Sequence, residues 1–150
     1  MGQAQGIYAQ LFVMLVSPFA GVIFDRINIW KVGTMSFGVL LFYPLMFSLS
    51  AVFLSKPLAY AGLLFFSLGM SGANVLWNLG TIGLSKDRDS FFYQGFHVSL
   101  AGLRGFIGPL LGYFILSRFG VITVFNIAIM LFAAASIGSL IYGFMRNREL

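Results

Sequence analysis

The sequence predicts an all-α, polytopic membrane protein with about five transmembrane helices in one transmembrane domain spanning residues 1–150. Three observations lead there. Hydrophobic residues make up 59% of the chain and charged residues only 9%, and the mean hydropathy of +0.95 lies far above that of soluble globular chains. The apolar residues fall in long runs, and nearly all the charges fall between those runs. Barrel strands are excluded because the runs do not alternate apolar with polar residues.

A bilayer core takes about 20 apolar residues in helical form, with a range of about 17–25. Five runs qualify: 7–24, 29–53, 58–84, 91–116 and 121–145. The breaks DRIN, SKP, SKDRDS and SRFG each combine charge with turn-forming or capping residues. No run is left over for a soluble domain.

The charge balance of +5 reads as topology, and no nucleic-acid partner is expected. Arg26, Lys31, Lys86, Arg88, Arg146 and Arg148 collect on one side of the zigzag, against Lys56 and Arg118 on the other. The positive-inside rule then places the C-terminus in the cytoplasm and the N-terminus outside, in a plasma or inner membrane. Tyr8, Tyr60 and Tyr113 fall near outer ends, and Trp30, Tyr93 and Tyr142 near inner ends, as expected of aromatic belts. Tyr43 and Trp77 lie deeper, where packing between helices is the default and a cavity lining the alternative. The first run leads into a loop rather than a cleavage site, so no cleaved signal peptide is expected. An outside N-terminus and an odd helix count lead to the expectation that further helices precede Met1.

The junction SPFAGVIFDRINIWKVG resembles the loop signature G-x-x-x-D-R-x-G-R/K-R/K of the major facilitator superfamily. Gly21, Asp25 and Arg26 match. Asn28 stands at the second glycine, Ile29 and Trp30 stand at the basic positions, and Lys31 comes one position late. Three spans on, RGFIGPLLGYF resembles the family's Gly-Pro pattern through Gly108, Pro109 and Gly112, with Arg104 at the first glycine and Tyr113 at the last. The third span lacks the arginine usual in the family's fourth helix, and the chain stops soon after its fifth span. The resemblance therefore implies helices eight to twelve, a partial bundle from the C-terminal half. It also implies that Gly21, Asp25 and Arg26 form a gating loop, with attraction between Asp25 and a helix N-terminus as the physical reason. A capped turn that sets topology is the alternative for these residues.

Gln94, His97, Ala101, Arg104 and Gly108 share one side of the fourth span at helical spacing. An arginine at a helix centre costs about 2.5–3.5 kcal/mol on insertion scales, so Arg104 should face protein, water or ligand. No Asp or Glu lies inside a span: Asp25, Asp87 and Asp89 are in loops and Glu149 is terminal. Two roles stand open for Arg104. It either pins its helix to a neighbour or clamps a carboxylate or phosphate on a solute. His97 is either a proton relay or a structural hydrogen-bonding residue. On the third span, Ser67, Ser71, Asn74, Asn78, Thr81 and Ser85 form a second polar stripe. Interhelical bonding is the preferred role of the serines and Thr81, while Asn74 and Asn78 are equally placed to line a cavity. Gln10, Met14, Ser17 and Gly21 share a weaker face of the first span. Gly69, Gly72, Gly80, Gly83, Gly105, Gly108 and Gly112 are expected to let helices approach closely, and Pro109 to permit a kink.

There are no cysteines and only one histidine, so thiol and Cys-based metal chemistry are excluded and neither an enzyme, a cofactor nor a metal site is expected. The expected function is movement of a small solute, with an anionic group suiting Arg104, by alternating access. The expected partners are the lipid bilayer and a missing N-terminal transporter half. The alternative is a non-catalytic five-span membrane subunit or scaffold.

Overall fold

The computed structural model describes residues 2–85 and 90–146, with side chains outside 2–5, 23–25, 79, 81–85, 90 and 146. Among the described residues there are five helices: α1 Gly2–Arg26, α2 Ile29–Phe53, α3 Lys56–Ser85, α4 Ser90–Phe119 and α5 Val121–Arg146. Four are long and apolar enough to cross a membrane, with candidate spans at Ile29–Phe53, Lys56–Asn78, Phe91–Phe119 and Val121–Met145. The chain is an all-α, multi-pass integral membrane protein. Among the described residues the apolar part of α1 is Gly6–Val22. Asp25 belongs to its last helical turn rather than to a loop.

The helices also outrun the expected breaks. Lys56 and Pro57 already belong to α3, because proline is tolerated in a first turn where its missing N–H has no helical partner. Ser117, Arg118 and Phe119 remain in α4, and only Gly120, with φ +81°, leaves it through the left-handed conformation that glycine adopts without strain. Leu54 makes the same left-handed exit from α2 at φ 51°, with its N–H donating to the Ser50 carbonyl.

At the centre lies α2, packed on α3 along one side and on α5 along the other, with α1 on α3. Glycines bring α2 and α3 together. A Cβ on Gly69 would stand 2.6 Å from Leu40 Cγ and 2.9 Å from the Ser36 carbonyl oxygen, and one on Gly72 would meet Ser36 Oγ. Tyr43, which does not fit the belts, packs against Phe47 and Phe66 at 5.0 and 5.1 Å. Hydroxyl groups tie the other contacts. Ser67 Oγ donates to the Ala9 carbonyl of α1 at 3.1 Å, and Ser136 Oγ of α5 donates to the Thr34 carbonyl of α2 at 2.9 Å. In α1 the buried line is Ala9 and Val13, whereas Gln10 and Met14 of the expected face are exposed. The remaining helix, α4, touches α3 and α5 only sparsely.

Candidate functional site: the inner face of α4

Of the described residues on α4, only Gln94, His97, Ala101, Gly112 and Ile115 are half-buried; the rest are exposed. Their spacing follows the helical repeat, so one narrow line of α4 faces the bundle. Three of the five belong to the polar stripe read from the sequence, and Arg104 and Gly108 complete the line between Ala101 and Gly112. The fold therefore turns Gln94, His97 and Ala101 partly inward, leaves Arg104 and Gly108 exposed on the same side, and turns the Phe and Leu residues of α4 outward.

Arg104 reaches α3. Its guanidinium carbon sits 4.7 Å from the centre of the Trp77 ring, a cation–π contact worth about 0.5–1 kcal/mol at an exposed site and about 2 kcal/mol or more when desolvated. No carboxylate or carbonyl among the described residues accepts a hydrogen bond from it. The geometry divides the group in two: one π face is covered by the indole, while the N–H donors around its edge keep their capacity for planar, bidentate acceptors. Trp77 is the partner that sequence reasoning missed, although its depth had already set it apart.

The other candidates are placed around this pair. His97 lies two turns along α4, about 10 Å away, half-buried, and forms no hydrogen bond with a described residue. Asn74 is half-buried and Asn78 exposed, and Asn78 Nδ2 donates to the Asn74 carbonyl at 2.8 Å. They lie about 60° and 100° round α3 from Trp77, so they flank the arginine contact rather than join it. Ser67 and Ser71 are buried. Ser67 also donates to the Leu63 carbonyl of its own helix at 2.9 Å, and Ser71 donates to Leu68 at 2.7 Å. The side chains of Thr81, Ser85 and Asp25 lie outside the described residues. Among the described residues, a Cβ placed on Gly105, Gly108 or Gly112 would meet no atom within 4 Å, so they make no close helix approach there; Pro109 is exposed beside them.

At the α1–α2 junction Gly21 is half-buried and Arg26 exposed. The positions that depart from the loop signature have local tasks. Asn28 Oδ1 caps α2 by accepting from the Trp30 N–H at 3.1 Å, and Trp30 packs on Tyr142 of α5 at 4.4 Å.

Two grooves are present elsewhere. One lies between the start of α2 and the end of α5, and the other among α1, α2 and α3. Neither is lined by any residue of α4. Among the described residues, no three His, Cys, Asp or Glu side chains gather to hold a metal ion. No protein-family model matches the chain, and no curated protein or solved structure matches it.

Proposed function

We propose that this chain is part of a major-facilitator-type secondary transporter, equivalent to helices eight to twelve, which moves a small anionic solute by alternating access. On this reading a second bundle faces α4 and the solute binds between the halves, near the depth of Arg104. The observation that carries the proposal is the Arg104 contact: a cation at mid-membrane depth, braced by Trp77, with its N–H edge unengaged by the described residues. Such an edge fits a carboxylate or a phosphate. Gln94 and His97 extend the same inner line toward one membrane face, and Asn74 and Asn78 border it on α3. Gly21, Asp25 and Arg26, in the last turns of α1, act as the gating element that leads into the α1–α2 junction, at the cytoplasmic surface in the orientation that the positive charges favour. The membrane is the plasma or inner membrane.

The test is uptake of labelled carboxylates and phosphate monoesters into proteoliposomes that contain the chain with the membrane proteins that co-purify with it. Arg104→Gln should lower kcat/KM by about thirtyfold or more, since removing one partner of a hydrogen-bonded charge pair costs about 2–5 kcal/mol. Arg104→Lys, which keeps the charge but loses the planar fork, should fall between. Normal expression with unchanged uptake and affinity in Arg104→Gln would sink the clamp. Failure of both variants to reach the membrane would assign Arg104 to holding α4 against α3.

A further inference from the structure

At one end of the bundle, the first turns of α2 and the last turns of α5 enclose a groove that the transport reading leaves unused. Glycines set its floor. A Cβ on Gly143 would stand 2.7 Å from Trp30 Cβ, and one on Gly33 would stand 3.1 Å from Ser139 Oγ, so the two helices touch closely there. Thr34 Oγ1 donates to the Trp30 carbonyl at 2.9 Å, which turns that hydroxyl inward onto its own helix. Beside this contact is a groove of ≈ 630 Å³, within the about 300–1,000 Å³ of small-molecule sites. Its walls include Met35, Leu140, Ile141 and Phe144, and Lys31 lines it as well. Lys31 is exposed. Among the described residues its ammonium has no hydrogen-bond or ion-pair partner, and no carboxylate lines the groove.

We propose that this groove seats an acyl chain of a membrane phospholipid whose anionic headgroup meets Lys31. Depth is the first argument. The groove starts at the Asn28 cap and reaches Met35, about 10 Å into the span, so it crosses the level where headgroup gives way to hydrocarbon. The Trp30–Tyr142 pair marks that same level, where amphipathic rings collect. Charge is the second argument. Lys31 and the positive end of the α2 dipole attract an anion at the mouth, and Arg26, Arg146 and Arg148 outnumber Asp25 and Glu149 at the same end in the sequence. Length is the third. A transmembrane helix would pack along the whole bundle, whereas a groove of two turns suits a chain that enters from the surface.

The chain has two tryptophans, so Trp77→Phe leaves Trp30, which lines the groove, as the sole fluorescent reporter. The full chain carrying that substitution is reconstituted in vesicles containing acyl-brominated phosphatidylglycerol diluted in phosphatidylcholine, and in vesicles with the bromine label on the phosphatidylcholine instead. Brominated phosphatidylglycerol should quench Trp30 as though enriched about fivefold over its mole fraction, the preference that one basic residue near a charged surface confers. Lys31→Gln should abolish the enrichment, Lys31→Arg should keep it and Lys31→Glu should turn it into exclusion. Because Lys31 is exposed, these variants leave the packing intact. Quenching that follows mole fraction in the Lys31 protein overturns the proposal. So does equal enrichment in Lys31→Gln, or protection of Trp30 from both lipids, which would mean that protein covers the groove.

Discussion

Trp77 and Arg104 lean toward each other because of how side chains leave a helix. Trp77 lies eight residues before the end of α3 at Ser85, and Arg104 lies fourteen after the start of α4 at Ser90. Their Cα atoms are therefore offset by about 9 Å along the bundle. Each Cα–Cβ bond tilts toward its own helix N-terminus. With α3 and α4 running in opposite directions, Trp77 tilts up as Arg104 tilts down, and the offset closes. Sequence spacing showed the arginine's stripe and the tryptophan's unusual depth, but not this convergence, which depends on side-chain direction across two helices. Trp77→Leu should leave the arginine in place without its platform and raise KM for an anionic solute about fivefold, given about 1 kcal/mol for the contact. Uptake kinetics check this, and an unchanged KM would make the ring a bystander.

At the scale of the helices, the long apolar runs and their charged breaks made α2 to α5 legible, because crossing hydrocarbon demands continuous helical segments. The choice of glycines for close contact was not legible. Gly69, Gly72, Gly105, Gly108 and Gly112 all sit among apolar residues at helical spacing, yet among the described residues only the first two meet a neighbour. Gly69→Leu would drive side-chain atoms into the Leu40 amide and Ser36 carbonyl, which belong to the α2 backbone and cannot rotate away. It should destabilise the chain by about 1–3 kcal/mol. Ser67→Ala removes the α3-to-α1 hydrogen bond and should cost about 0.6 kcal/mol, an average for such bonds in a bilayer. Unfolding in mixed micelles measures both, and equal losses would mean that the α2–α3 seam is looser than its geometry.

The molecule as a whole is unevenly packed. Leu40, Ser36, Ser67, Ser71 and Ala73 are buried along the α1–α3–α2 contacts, whereas none of the apolar window of α4 is buried. Lipid satisfies the outward Phe and Leu residues but does nothing for a glycine surface, whose value lies in letting another helix approach. On the transport reading, the exposed Gly105 and Gly108 and the half-buried Gly112 belong to contacts with helices outside this chain. Gly105→Leu discriminates between the two readings. Among the described residues a Cβ there meets no atom within 4 Å, and replacing a helical glycine removes a conformational cost of up to about 1 kcal/mol, so the thermal midpoint in detergent should not fall. In the assembled transporter the same leucine would hold the second bundle away, and both co-purification of partner helices and uptake should be lost. If the variant assembles and transports normally, α4 faces lipid at Gly105. If no partner co-purifies even with Gly105 intact, while the chain remains folded and homogeneous, the five helices act as a scaffold.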